Sequence, residues 1–193
     1  NATVKNIQTQ PTFTTDLTVN DLSVYKDTLG NLTAKVNNNI ANQYNADLRL
    51  TGRGNEVNLT GIYFVKPQNK SIYDLNLDIV ALQMKSLEGF TKGSIKDSRG
   101  SLFGKVAFNG SLDDPNIDGK INFNNTAFTV TALNSVFKVD KEALAIVNNK
   151  GVALNTFTIR DTAENEIVLD GNIFTSDWFN YSFDLTINAD NFQ

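Results

Sequence analysis

Two runs of this chain are similar to each other over their whole length. Residues 56–82 and 166–192 align without a gap at a spacing of 110 positions. Tyr73 in the first run aligns with Phe183 in the second, and Leu77 aligns with Ile187. A long repeat built from short segments is typical of arrays, in which similar units stack side by side.

Apolar and polar residues alternate within both runs. Asn58 separates Val57 from Leu59, and the same alternation recurs in residues 74–79. Successive side chains of a strand point to opposite faces of a sheet. Each run therefore predicts two strands that have one apolar face and one polar face and are joined by a polar loop.

The likeness extends towards the N-terminus with small changes of spacing. Three more pairs of segments align: residues 23–26 with 135–138, 36–38 with 147–149, and 48–50 with 157–159. We therefore predict one β-rich array of two similar units, about 1–99 and 100–193, that is a piece of a longer chain.

Turn signals separate further predicted strands. The apolar residues occupy odd positions up to Val19 and even positions from Leu22. This change at Asn20 and Asp21 predicts a bulge or a tight turn. Asparagine tolerates left-handed backbone, so residues 37–39 predict the end of a strand. Residues 52–55 resemble the start of a dinucleotide fingerprint, but the third glycine is missing and strands flank them, which favours a turn. Residues 83–90 are compatible with one helical turn.

Composition excludes several classes of function. The net charge of −4 and a pI near 4.8 argue against a nucleic-acid partner, because binding nucleic acid requires a positively charged surface patch on the protein. The chain has no cysteine and no histidine, so it lacks zinc ligands of these types and the commonest general base. We predict a protein that is not an enzyme and holds no cofactor and no metal.

Residues 114–119 fit the opening of a calcium loop. The glutamate that should follow is replaced by Asn125, and strands flank the segment, which favours a polar turn.

The aromatic cluster of Trp178, Phe179 and Tyr181 indicates either a lid over the end of a core or a contact point for a partner, a glycan or a lipid.

Glycines on the apolar side distinguish the segment between the two runs. Residues 100–123 combine Gly104, Gly110 and Gly119 with a hinge at Asp114 and Pro115. Glycine removes side-chain volume from the buried face, which allows strands to bend or allows another chain or a ligand to approach closely.

This segment, together with residues 73–78, 157–161 and 169–171, resembles the TamB and AsmA-like group of bacterial envelope proteins. The resemblance implies a β-taco, a rolled sheet whose apolar trough holds lipid acyl chains. It also implies a periplasmic location in a Gram-negative bacterium, with the full-length protein anchored in the inner membrane. The partners implied are phospholipid acyl chains and an outer-membrane barrel of the TamA/BamA type.

We predict an all-β fold, mainly an antiparallel curved and rolled sheet that leaves an open apolar trough; a closed β-sandwich is the alternative. The predicted function is a segment of a lipid-conducting bridge that moves phospholipid and supports outer-membrane assembly. The alternatives are a surface β-sandwich that binds glycans or proteins through its loops and, more remotely, a β-solenoid enzyme. The residues predicted to line the trough are Val57, Leu59, Leu75, Leu77, Val106, Phe108, Ile121, Phe123, Phe157, Ile159, Ile167, Leu169, Phe183, Leu185 and Ile187.

Overall fold

The computed structural model describes residues 1–5, 12–24, 27–67, 70–175 and 181–189, and most of them lie in strands. One 3₁₀ helix, Met84–Thr91, interrupts the strands and is called the cap helix below. The strands are β1 Ala2–Lys5, β2 Thr12–Val24, β3 Asp27–Ile40, β4 Gln43–Gly52, β5 Asn55–Phe64, β6 Ile72–Gln83, β7 Ile95–Gly110, β8 Pro115–Val130, β9 Ser135–Val139, β10 Leu144–Asn148, β11 Gly151–Arg160, β12 Glu166–Thr175 and β13 Tyr181–Ala189.

All thirteen strands belong to one antiparallel sheet, in which each strand pairs with the next along the chain almost throughout. The exception is at β8, because β9 and β10 lie one after the other along β8 and both also pair with β11. The prediction of an all-β, antiparallel, curved sheet is confirmed. The described strands form a single sheet, whereas a sandwich consists of two stacked sheets.

The turn predictions are confirmed except at the asparagine triplet. The register of β2 against β3 shifts between Val19 and Leu22, and Asp21 has a φ of 50°, so the predicted bulge is present. The prediction that residues 37–39 end a strand is wrong, because β3 continues to Ile40. Their side chains are used within the sheet instead, since Asn38 Oδ1 accepts the backbone N–H of Phe13 at 2.5 Å.

The two hairpins of the repeat have the same register. Leu59 pairs with Leu77 in the first hairpin, and the residues 110 positions later, Leu169 and Ile187, pair in the second. The point at which the sequence divides the units, residues 99–100, lies inside β7. Both units therefore belong to one continuous sheet.

The cap helix is tied to the sheet by a buried amide. Asn55, only 3% exposed, donates from Nδ2 to the carbonyl oxygen of Leu29 at 2.6 Å and to Ser86 Oγ at 2.9 Å. Its Oδ1 accepts the backbone N–H of Gln83 at 2.7 Å. One side chain thus links β3, the end of β6 and the cap helix at one end of the sheet.

The molecule has far more surface than a compact protein of its size. Its accessible surface is 12228 Å², whereas a compact monomer of 21.3 kDa is expected to expose roughly 9,100 Å². The excess is what a single layer produces, because neither face of such a sheet is covered from edge to edge by a second layer.

Candidate functional site

One face of the sheet is apolar from β2 to β13 and is called the apolar face below. Directly paired residues of neighbouring strands point to the same side, so the pairing traces rows across the sheet. One such row is Val19, Leu32, Leu50, Val57, Ile79, Gly104, Ile121, Ala145, Leu154, Gly171 and Leu185. A second row, two residues away along each strand, runs from Leu17 to Phe183 through Leu59, Leu77 and Val106.

All fifteen predicted lining residues lie on the apolar face. The pairings of Leu75 with Phe108, Phe157 with Leu169 and Ile159 with Ile167 place the remaining members on the same side as the two rows. Leu102, on the same side of β7 as Gly104, pairs with Phe123. The structure therefore brings the predicted residues together on one surface.

The apolar face is not equally accessible along its length. Val106, Phe157, Ile159 and Ile167 are buried, with exposed fractions of 4 to 8%. Phe183 and Ile187, on the last strand, are 66% and 63% exposed. The other predicted lining residues are half-buried.

The buried stretch of this face packs against itself. The rings of Phe123 and Phe157 meet edge to face at 5.1 Å between centroids, although their strands are not neighbours. Phe137, 2% exposed, lies in the same cluster with Leu154 and Ile167. The trough predicted as vacant is thus partly filled by its own side chains between β8 and β12.

The predicted list omitted several residues that belong to the apolar face. Leu17, Leu32 and Leu48 extend it across the first strands, and Ile79 and Val147 fill its centre. Their alternation with polar neighbours in the sequence indicates that they lie on the apolar side of their own strands. Only the pairing shows that their strands join the same surface.

The opposite face is polar, as the alternation predicts, and it carries a concavity. This hollow of about 780 Å³ lies across β5 to β8 and is lined mainly by Asn58, Asp78, Lys105, Asp118, Lys120 and Asn122. A twisted sheet is saddle-shaped, so each face is concave along one diagonal. Lys105 Nζ lies 3.6 Å from Asp78 Oδ2, but both side chains are exposed, so the pair contributes little to stability.

Residues 114–119, which resemble the opening of a calcium loop, do not form such a loop. Pro115 begins β8, so Asn116 and Asp118 project from a strand, and Asn116 Nδ2 donates to Asn109 Oδ1 at 2.8 Å. Within the described ranges no cluster of acidic side chains could hold a metal ion.

Trp178 and Phe179 lie outside the described residues, and Tyr181 is 51% exposed at the start of β13.

Three carboxylates have a pKa below the ordinary value of 3.8. Arg49 donates to Asp47, the backbone N–H of Glu142 donates to Asp140 at 2.9 Å, and Asn165 donates to Asp161, and each of these hydrogen bonds favours the charged form. A lowered folded-state pKa stabilises the fold above pH 3.8, and this contribution is lost as the pH falls through the lowered values.

We expect the free energy of unfolding to change little between about pH 8 and 5, where the side chains of a chain without histidine ordinarily do not titrate, and to fall below about pH 4. Urea unfolding at a series of pH values measures this. The acid-induced loss should be smaller in Asp140→Asn. A steep loss of stability between pH 7 and 5 would contradict the assignment.

The fold and the apolar face define an antiparallel single-sheet β protein with one continuous apolar surface. Comparison of the chain with protein-family models, curated proteins and solved structures gives no match. The resemblance to the TamB and AsmA-like group therefore stays a prediction from the sequence. In the part of the chain that the structure describes, no helix has the length and apolarity needed to span a membrane.

Proposed function

We propose that the apolar face shields lipid acyl chains, as one segment of a bridge that conducts phospholipid, and that the segment catalyses no reaction. The observation that carries the proposal is the unbroken row of paired apolar residues and glycines from β2 to β13. The row crosses eleven strands at a spacing of about 4.8 Å, which gives a surface roughly 48 Å wide.

The energetic reason for such a surface is the cost of exposing acyl chains to water. Each CH₂ group costs about 0.8 kcal/mol, so two chains of about sixteen carbons cost on the order of 25 kcal/mol. A continuous apolar face lowers this cost at every position along the path. The exposed side chains Leu17, Phe183 and Ile187 offer apolar area that the protein itself leaves uncovered.

The cellular setting of the proposal comes from the resemblance alone. It consists of a periplasmic bridge whose full-length chain is anchored in the inner membrane and contacts an outer-membrane barrel of the TamA/BamA type. The lack of cysteine and histidine side chains accords with a passive conduit. The single sheet favours this function over a loop-binding surface sandwich.

A charge on the apolar face should weaken lipid binding strongly, whereas the same charge on the polar face should not. Leu77 is half-buried between Leu59 and Val106, and its neighbour Asn76 is exposed on the other face. We expect Leu77→Asp to weaken binding by about 2 kcal/mol or more, roughly thirtyfold, because a carboxylate must be desolvated beside an acyl chain. Asn76→Asp should bind normally.

Mass spectrometry of organic extracts from the purified proteins, followed by titration with a fluorescent phospholipid, measures the difference. Circular dichroism establishes that each variant is folded. Leu17→Asp and Thr18→Asp repeat the comparison at exposed positions, where a charge is tolerated by the fold. Equal lipid binding by folded variants of both faces, or no lipid in the unmodified protein, would refute the proposal.

A further inference from the structure

The hollow on the polar face has the size of a ligand-binding site. Its volume of about 780 Å³ falls within the range of roughly 300 to 1,000 Å³ that is common for such sites. Neighbouring strands contribute one row of directly paired residues, which consists of Asn58, Asp78, Lys105 and Lys120. Ala107 also lines the hollow, and its short side chain leaves space between the longer side chains.

Several polar side chains of the hollow have no partner within the described ranges. Asn58, Lys120 and Asn122 make no side-chain hydrogen bond or ion pair with that part of the chain. Elsewhere on the same face, amides bind each other, since Asn116 Nδ2 donates to Asn109 Oδ1. The hollow therefore presents free donors and acceptors to a molecule that enters it.

The formal charges of the hollow cancel. Lys105 and Lys120 carry positive charges, and Asp78 and Asp118 carry negative charges. A site without net charge does not concentrate ions of either sign. Its ammonium, carboxylate and amide groups instead place donors beside acceptors. This arrangement suits hydroxyl groups, because each hydroxyl both donates and accepts a hydrogen bond.

An aromatic ring lies beside these polar groups. Phe103 pairs with Asn122 and lies on the polar face, where it is 43% exposed. An exposed ring offers a flat apolar surface next to the hydrogen-bonding groups. Pyranose sugars have the complementary surface, since their ring faces carry C–H groups and their edges carry hydroxyl groups.

The repeat shows that the fold does not require the polar residues of the hollow. The hairpin of β12 and β13 has the same register as that of β5 and β6. Even so, Asn58 aligns with Val168, and Asp78 aligns with Asn188. The hairpin thus forms with an apolar side chain at the position of Asn58, and the polar cluster is a property of the first unit alone.

We propose that the hollow binds an uncharged carbohydrate chain of β-linked pyranose rings, of the cellulose or chitin kind. Such a chain is extended and flat, which suits the open surface of a sheet. One ring stacks on Phe103, and the hydroxyl groups of the chain bind Asn58, Asp118 and Lys120. The site lies on the face opposite to the proposed lipid surface and does not depend on it.

Cellohexaose and chitohexaose are the probes, and nuclear magnetic resonance titration of the whole chain is the measurement. We expect at least one of the two hexasaccharides to shift the backbone amide signals of Lys105, Ala107 and Lys120 in a saturable manner. The amide signals of β12 and β13 should not move. The same spectra establish that each variant below is folded.

Asn58→Val, which copies Val168, should raise the dissociation constant about tenfold, because a buried hydroxyl of the sugar then loses its amide partner. The matched control is Asn172→Ile, which copies Ile62 and removes an amide from the polar face outside the hollow. This control should bind the hexasaccharide as the unmodified chain does.

Filling the hollow is the second test. Ala107→Gln places a longer side chain in the space that the sugar would occupy, so it should raise the dissociation constant tenfold or more. Ala153→Gln makes the same change on the polar side of β11, where Ala153 pairs with Ile146, and should leave binding unchanged.

Three results would overturn the proposal. The first is the absence of amide shifts with both hexasaccharides, and the second is equal weakening by Asn58→Val and Asn172→Ile. The third is the same set of shifts with inorganic phosphate alone, which would assign the hollow to an anion held by Lys105 and Lys120.

Discussion

Replacing Gly171 with alanine is expected to lower the free energy of unfolding by about 3 kcal/mol, because the strand then carries both backbone strain and a steric overlap. Gly171 has a φ of 130°, a conformation that residues with a side chain rarely adopt. A Cβ atom there would overlap the carbonyl oxygen of Asp184 and lie 3.1 Å from the Cα of Leu185. This overlap can be relieved only if β13 moves away from β12.

The repeat supplies a second copy of this experiment. Gly61, 110 positions earlier, has a φ of 154°, and a Cβ atom on it would overlap the carbonyl oxygen of Asp74. Gly61→Ala should therefore destabilise the chain at least as much as Gly171→Ala, because β5 and β6 lie inside the sheet whereas β13 lies at its edge.

Gly93→Ala is the matched control for both variants. Gly93 has a φ of 84°, but open space surrounds the position of its Cβ, so only the conformational cost of about 1 kcal/mol remains. Urea unfolding gives the three free energies, and hydrogen exchange reports whether β13 has separated. Equal losses at Gly93 and Gly171 would contradict the argument that close approach of the backbones requires these glycines.

Alternation predicts the side of the sheet on which a residue lies, and it does so well here for a simple reason. The side-chain period of a strand is two, so a short uninterrupted segment such as residues 57–63 assigns each residue to one face without knowledge of the partner strand. The hairpin repeat then fixes which faces coincide. The fifteen lining residues lie on one surface because both conditions hold.

Burial could not be predicted in the same way. Val106 is 4% exposed and Phe183 is 66% exposed, although both occupy the same row of the apolar face. The difference arises from position: strands flank Val106 on both sides and Gly119 lies opposite it, whereas Phe183 lies on an edge strand. Asn37 and Asn38 likewise depend on their partners, because amides with strand neighbours to bind need not end a strand.

The buried amide of Asn55 could not be recognised from its surroundings in the sequence, where it reads as the last residue of a turn. Its partners, Leu29, Gln83 and Ser86, are distant in the chain and meet only because the cap helix returns to β3. A buried donor left without an acceptor, or the reverse, costs about 1 to 3 kcal/mol per group. This side chain satisfies three such groups at once.

Asn55→Asp should therefore cost about 3 to 5 kcal/mol at neutral pH, since the change keeps the size of the side chain but removes both of its donors. The new carboxylate would accept the backbone N–H of Gln83 but would face the carbonyl oxygen of Leu29, which repels it. Burial and this repulsion raise the pKa of the new carboxyl in the folded state above the unfolded value of about 3.9.

A raised folded-state pKa means that the loss of stability grows as the pH rises from about 4 to the raised value, so acidification should restore part of it. Urea unfolding of Asn55→Asp at pH 7 and at pH 5 measures both effects. Asn76→Asp, which adds the same charge at an exposed position of β6, should be within about 0.5 kcal/mol of the unmodified protein at both values. A stability of Asn55→Asp that equals this control would show that the cap helix is held by contacts other than the amide.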